Sequence, residues 1–340
     1  MGRRIPSISH GNFKRNWLYI VMKVLIVVRK DYGNVGHNLD MSLRSVGVDS
    51  ICLKKVRHPL KYLKQAEGYN EKTLKHHAER ADIIQFMHSE NTSLGIGKQF
   101  GGRKGIAVYH GGSTYRHSPQ IYNKLWNDRA GVALIQTGDL LDKGAKNQIW
   151  FLPPVDTEYL KPSYGRVIGN KRIIAHCPST RVKGTVEFDK IMVELKNDPK
   201  LKDKFVYERG KRINWAPNIE RVRRCDIYFD ACCLKIKARP YGEWGISALE
   251  ASCLGKVVVS HFLSVDRYKK EFGKECLIQH ANSMKEVKQQ MRRLILMPEG
   301  EFTNLQKRTR AWVVENHSYK VIGERLVNIY NKHLTWEGKK

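Results

Sequence analysis

Three groups of residues in this 340-residue chain have the types and spacing for chemistry. The first surrounds Glu250, within Pro240 to Val259, which reads PYGEWGISALEASCLGKVVV. Gly242 and Gly245 mark a turn, Ile246–Cys253 is small-residue helix, Gly255 stops it, and Val257–Val259 is a buried strand. Backbone N–H groups at such a helix start carry partial positive charge and suit a phosphate. A carboxylate a turn further on accepts bonds from the hydroxyls of a ribose, so a nucleotide can lie across this start. An ordinary helix–strand unit with one exposed Glu fits the spacing equally well.

The second group is Arg181 and Lys183 in Cys177–Thr185, CPSTRVKGT, on a loop ahead of a helix at Val186–Leu195. Two cations beside backbone N–H groups can neutralise a diphosphate leaving group. Taken alone, they also read as two solvated charges. The third group sits at strand ends. Ile83–Met87 runs into His88-Ser89-Glu90-Asn91, and Ile106–Tyr109 runs into His110-Gly111-Gly112-Ser113, with Arg116 six residues past His110. Ligands of open α/β sheets bind at the carboxyl ends of strands. Both histidines also read simply as polar strand ends, and for His88 that plainer reading is preferred.

The glycine turn, the Trp244–Gly245 pair, Glu250 and the strand after Gly255 together resemble the donor-site signature of retaining, family-4-like glycosyltransferases of the GT-B fold. That resemblance implies two Rossmann-like domains facing a cleft and transfer of a sugar from a sugar nucleotide to a hydroxyl. Glu250 matches the family's second Glu, which holds the ribose. The family's first Glu stands eight positions earlier, where this chain has Gly242; Glu243 comes one residue late. The resemblance further implies donor contacts at Gly33, Gly36, Ser179, Glu243, Gly245 and Ile246. It makes Arg181 and Lys183 the leaving-group cations and sets His110 near the reacting carbon. The net charge, where it serves an anionic polymer, makes Arg103, Lys104, Arg116 and the Lys54–Lys64 region the candidate acceptor contacts. Neither a metal nor a cofactor is expected: no Asp-x-Asp stands at a strand end, and the donor is itself a substrate.

The supporting elements follow the same pattern. Lys23–Val28 is a continuous apolar strand, followed by the loop Asp31–Gly36, a helix His37–Ser45 and a strand Asp49–Leu53. A polar, Lys-rich stretch to Arg80 contains a helix at Glu71–Arg80. The short apolar runs at 83–87, 106–109, 132–136 and 149–152 keep the pace of β-α units. A Pro-rich connector, Pro153–Pro162, precedes a second series: strands at Arg172–His176, Lys204–Arg209 and Asp226–Asp230, then helices at 219–224, 265–272, 284–297, 302–316 and 319–333. The expected division is an extension at 1–20, an acceptor domain at 21–160 and a donor domain at 161–320. A last helix, 321–340, is expected to cross back to the first domain.

Composition bears on the partner. Lys plus Arg number 61 against 33 Asp plus Glu, a net +28 spread over both halves. Such a field favours an anionic acceptor. DNA carrying a hydroxymethylated base, as for virus-type DNA-modifying enzymes, is one expectation; a glycan or lipid-linked sugar at an anionic membrane face is the other. A catalytically silent binding protein on the same fold is a third. Seven cysteines, odd in number and without metal-ligand spacing, suit buried thiols in a reducing, cytoplasmic setting. The apolar run at 17–28 is broken by Lys23 and is too short to span a membrane.

Overall fold

The computed structural model describes residues 22–87, 104–164, 171–178, 183–233, 235–236, 239–241 and 243–336. Two all-parallel sheets organise them. The first contains β1 (Lys23–Lys30), β2 (Asp49–Val56), β3 (Glu67–Gly68), β4 (Ile83–Met87), β5 (Gly105–His110), β6 (Val132–Ile135) and β7 (Gln148–Trp150), in the order β3-β2-β1-β4-β5-β6-β7. The second contains β8 (Arg172–His176), β9 (Phe205–Arg209), β10 (Ile227–Ala231), β13 (Val257–Ser260) and β14 (Gln279–His280), in the order β14-β13-β10-β8-β9. Between β10 and β13 in sequence, β11 (Lys235–Ile236) and β12 (Arg239–Pro240) form a small antiparallel pair. Strands 1, 4 and 5 are buried on both faces, which is why they read as unbroken apolar runs.

Each sheet has one point where the strand order reverses: between β1 and β4 in the first, between β8 and β10 in the second. Crossovers leave in opposite directions there and open a crevice at the carboxyl ends of the strands. The first crevice holds Asp31 to Gly36 and the second holds Lys183 and Asp230. The two crevices face each other. Gly33, at φ +65°, lies so close to Ile246 that a Cβ would stand 2.9 Å from its Cγ1. Only glycine accepts both that backbone and that approach.

The helices mostly start where local chemistry permits. Before α1 (Val35–Ser45), the buried Asp31 carboxylate accepts the N–H groups of Gly36 at 2.7 Å and His37 at 2.9 Å. Asn70 caps α2 (Glu71–Arg80) through Thr73. After His110 come two helices absent from the sequence-based expectations, α3 (Gly112–His117) and α4 (Pro119–Trp126); Pro119 supplies the fixed φ of a first turn. α5 (Thr185–Asn197) follows Lys183. α6 (Trp215–Arg224) begins four residues before the expected Ile219. Pro217 lies in its first turn, where a missing N–H removes no helical bond.

The helix α7 (Ile246–Cys253) carries Glu250. Beyond it lie α8 (Val265–Phe272), α9 (Met284–Leu296), α10 (Glu299–His317) and α11 (Tyr319–His333). Arg310 on α10 ties down the connector, donating to the carbonyls of Thr157, Leu160 and Cys253 at 2.7–2.8 Å. The chain then returns to the first domain through α11, which packs on α1; Gly323 is required because a Cβ would lie 2.1 Å from the Ser42 carbonyl oxygen. Tyr330 also donates to Gln85 under the first sheet, at 2.6 Å. One continuous apolar core therefore includes residues of both sheets and of the terminal helices. Among the described residues no helix is long and apolar enough to cross a membrane. The expected extension at 1–20 lies outside the described residues.

Candidate active site

The second crevice is built on a buried ion pair. Lys183 Nζ lies 2.5 Å from Asp230 Oδ1, and both side chains are nearly solvent-free. Lys183 also donates to Ser247 Oγ at 3.0 Å, and Ser247 donates to Asp230 at 2.6 Å. The other Asp230 oxygen accepts the Gly245 N–H at 3.1 Å, just before α7. The helix start expected to meet a phosphate thus already holds a carboxylate. Burial would raise Asp230, but Lys183, Ser247 and the Gly245 amide hold it well below the carboxylate range. Burial would lower Lys183; Asp230 beside it outweighs this and raises it. Both groups are charged at neutral pH. Of the three ammonium N–H groups, Asp230 and Ser247 take two among the described residues, and the third can meet a ligand.

The backbone around this pair is fixed from three sides. His176 at the end of β8 joins the Phe229 carbonyl to the Thr185 hydroxyl, each at 2.9 Å. Gly184, at φ +74°, passes so close to the Cys232 carbonyl that a Cβ would meet its oxygen at 2.5 Å. His261 accepts the Cys233 N–H at Nδ1 (2.9 Å) and lies 3.0 Å from the Glu243 carbonyl at Nε2.

Glu250 points to the seam between domains. Its Oε1 accepts the indole N–H of Trp215 at 2.6 Å. Trp215 in turn stands between the rings of Tyr62 and Tyr159, at 5.5 and 5.6 Å, and its backbone N–H donates to the Leu60 carbonyl of the first domain at 2.7 Å. Beside Glu250 lies a pocket walled by Asn34, His37, Tyr62, Asp156, Trp215 and Tyr319, with about 90 Å³ open to the centres of water molecules. At about 10–15 Å³ per water this holds several waters, the size of a base or a pentose and not of a whole sugar nucleotide. Burial raises the Glu250 carboxyl to about 7, against the pull of the Trp215 N–H and Lys183.

Glu243 is 3 % exposed and lies against Gly138 of the first domain, whose missing Cβ would sit 3.0 Å from its Oε1. Ser264 hydrogen-bonds the carboxyl, while Oε1 has no partner among the described residues. Burial, with the nearby Asp139, raises it to about 8, so it is protonated at neutral pH. His110 is buried at the end of β5, stacked on Tyr115 with ring centres 4.1 Å apart, and burial lowers it to about 3. It is therefore a neutral hydrogen-bonding group and not a proton donor at physiological pH.

The expected site residues are gathered unevenly. Gly33, Gly36, Glu243, Gly245, Ile246, Glu250 and Lys183 line the two facing crevices, with His110 at a neighbouring strand end. Ser179, Arg181 and Arg103 lie outside the described residues. Two of the expected acceptor contacts have other work. Arg116 is 6 % exposed and donates to both oxygens of Asp139, at 2.8 and 3.1 Å, beneath the Tyr241 ring. Lys104 donates to the carbonyls of Glu79 and Ala81 at the end of α2. Both charges are absorbed by structure because each lies next to carbonyl or carboxylate groups that the chain must satisfy. Sequence reasoning missed Asp230, Ser247, Trp215 and Tyr62. Asp230 gave a signal, a carboxylate closing the strand DIYFD; nothing marked Trp215 or Tyr62. Among the described residues no three His, Cys, Asp or Glu side chains gather as a metal site.

The fold recurs in solved structures. Sucrose-phosphate synthase from Thermosynechococcus elongatus aligns at 11 % identity over 92 % of this chain and 98 % of its own, with a TM-score of 0.60. An alpha-glucosyltransferase in complex with UDP and a 13-mer DNA containing an HMU base aligns at 11 % identity over 91 % and 98 %, TM-score 0.60. The trehalose-6-phosphate synthase OtsA follows at 10 %, 90 % and 98 %, TM-score 0.57. The fold is GT-B. No protein-family profile matches the chain, and no curated protein matches it in sequence. In this GT-B chain, as in the fold generally, the two crevices form opposite walls of one cleft.

Proposed function

We propose that this protein is a glycosyltransferase that moves a sugar from a nucleoside diphosphate sugar to a hydroxyl of an anionic acceptor, DNA bearing a hydroxymethylated base. The observation that carries the reading is the buried Lys183–Asp230–Ser247 cluster at the start of α7, facing the Gly33 turn. It is a pre-oriented cation at a sheet's switch point, one ammonium N–H short of saturation among the described residues. A diphosphate oxygen takes that position, and Arg181 supplies a second cation. The nucleoside lies beside Glu250, whose carboxyl exchanges the Trp215 indole for, or shares it with, the ribose hydroxyls. His110 and the protonated Glu243 hydrogen-bond the sugar.

The reaction breaks the bond between the sugar's anomeric carbon and the diphosphate oxygen and forms one from that carbon to the acceptor oxygen. The acceptor's proton passes to the departing diphosphate, so no side chain need act as base and configuration is retained. Charge grows on the leaving group in the transition state, where Lys183 and Arg181 are worth most. The choice of DNA rests on the net charge of +28 and on a neighbour of the same fold solved with UDP and DNA.

The test is a panel of UDP-sugars, with hydrolysis and transfer to hydroxymethylated duplex DNA followed by mass spectrometry. Transfer should occur with one donor, and Glu250→Ala should weaken that donor's binding by about 1–3 kcal/mol, the cost of lost charge-assisted hydrogen bonds. Calorimetry showing donor binding without hydrolysis or transfer would leave the silent binding protein as the better description.

A further inference from the structure

Outside the inner site, one segment carries a run of cations with no acidic residue among them. The segment 54–66, the end of β2 and the loop to β3, carries Lys54, Lys55, Arg57, Lys61 and Lys64 and no acidic residue. Lys54 is buried and donates to Gln65; the other four are exposed. None of the four makes an ion pair among the described residues, as is also true of the exposed Lys72, Lys124, Lys285 and Lys307, whereas Lys75, Lys146, Lys269, Lys274 and Lys288 do; what sets the four apart is that they follow one another with no acidic residue between them. The four stand on or beside an open trough, lined by residues from Lys54 to Thr73, with about 1090 Å³ open to the centres of water molecules.

The loop is fastened and not loose. Leu60 accepts from Trp215 at 2.7 Å, the Lys64 carbonyl accepts from Asn34 at 3.0 Å, and the Tyr62 carbonyl accepts from Gln65 at 2.6 Å. Lys61 itself is held at φ +47°, a left-handed conformation uncommon outside glycine. Across the cleft, the exposed Lys211 and Arg212 precede α6. The His58 ring senses both sides: burial first, then Lys30, Arg212 and Lys54, lower it to about 4. Half-exposed Tyr32 stands edge-on to His58, with Lys30 above its ring at 5.2 Å.

An isolated phosphate is bound by converging, buried donors, which this face lacks. A planar lipid surface does not reach the cations along a concave trough. A row of unpaired cations beside an aromatic ring fits a polymer with regularly repeated phosphates and flat bases. We propose that this trough is the track for the phosphate backbone of a DNA acceptor, which brings the strand to the cleft beside Trp215 and Glu250. The assignment takes its purpose from the transferase reading, but its test reads binding alone.

The full chain is titrated into a labelled 20-base-pair duplex, read by fluorescence anisotropy between about 50 and 200 mM salt. Lys55→Gln, Arg57→Gln and Lys61→Gln are combined in one variant. A control variant, Lys269→Gln, Lys274→Gln and Lys288→Gln, removes the same charge from paired surface positions. Thermal melting confirms that both fold. The trough variant should lose roughly tenfold to a hundredfold in affinity, and its salt slope should fall by about 0.9 for each phosphate contact removed. The control should stay within about threefold. Equal losses in the two variants, a salt-independent curve, or a trough-dependent preference for phosphatidylglycerol vesicles over duplex would each overturn the proposal. Absence of sugar transfer with the binding pattern intact would sink the transferase reading and leave the track standing.

Discussion

The molecule has two concentrations of positive charge, and they are built in opposite ways. Lys183 is buried, bonded to Asp230 and Ser247, and fixed in one direction. The cations from Lys55 to Lys64 are exposed, unpaired among the described residues, and carried by a tied-down loop. Taking a charge out of water costs several kcal/mol unless a partner is supplied, so the inner cation exists only with its carboxylate. The outer cations remain hydrated and need none. A single directed cation suits one developing charge in a reaction. A hydrated row suits a long partner whose own counterions are released on binding. The contrast teaches that a count of +28 says little until each charge is sorted by what it faces.

The comparison breaks most easily at Asp230. Asp230→Ala strands Lys183 in the interior and should cost about 3–5 kcal/mol of stability in urea unfolding at pH 7. Replacing both partners, Lys183→Met with Asp230→Leu, should recover most of that loss while donor turnover stays abolished. A cost below about 1 kcal/mol for the single change would mean that the pair does not hold the crevice.

A smaller effect concerns the seam between the crevices. The folded protein raises Glu243 from 4.5 to about 8 and so binds its proton more tightly than the unfolded chain does. Stability from this group is therefore present below about pH 4.5 and is lost as pH rises toward 8. Glu250 acts in the same direction up to about 7. Glu243→Gln should remove its share, so the stability difference between variant and wild type should grow in the variant's favour from pH 5 to 8, by a few kcal/mol at most. Parallel pH profiles for the two proteins would show that Glu243 ionises freely and does not seal the seam as a neutral acid.

The smallest effect is expected at the trough. Lys55→Ala and Arg57→Ala should each change stability by no more than about 0.5 kcal/mol, as exposed, unpaired side chains do. A loss above about 1 kcal/mol would mean that the outer cations hold the fold together, and the contrast with Lys183 would vanish.

Much of the frame was legible because it depends on local pattern. Buried parallel strands leave apolar runs such as KVLIVV and VVV, and helices such as Glu71–Arg80 and Tyr319–His333 leave capping residues and 3.6-residue spacing. Gly33 and Gly184 stand where a left-handed backbone passes close to the Ile246 side chain and to the Cys232 carbonyl. The misses have equally local causes. The helix after Ser118 starts on a proline, and the one at Trp215 carries a proline in its first turn; each looks like a break when tertiary support is ignored. Arg116 and Lys104 read as acceptor contacts from the sequence because a sequence does not say which carboxylate or carbonyl will lie beside a cation.

The sequence by itself determined the two series of β-α units, the Pro-rich connector between them, and the small-residue helix that bears Glu250. Each follows from side-chain size, periodicity and turn chemistry within a window of about twenty residues. Only the tertiary structure decided that Asp230 holds Lys183, that Trp215 holds Glu250 and that the first domain's Leu60 holds Trp215. It alone left the cations of 55–64 without carboxylate partners among the described residues. Residues 47, 35 and 155 positions apart meet there because strand order and domain closure bring them together. Once burial removes water, the energy of a charge is set by neighbours in space, and no local pattern in the chain records who those neighbours are.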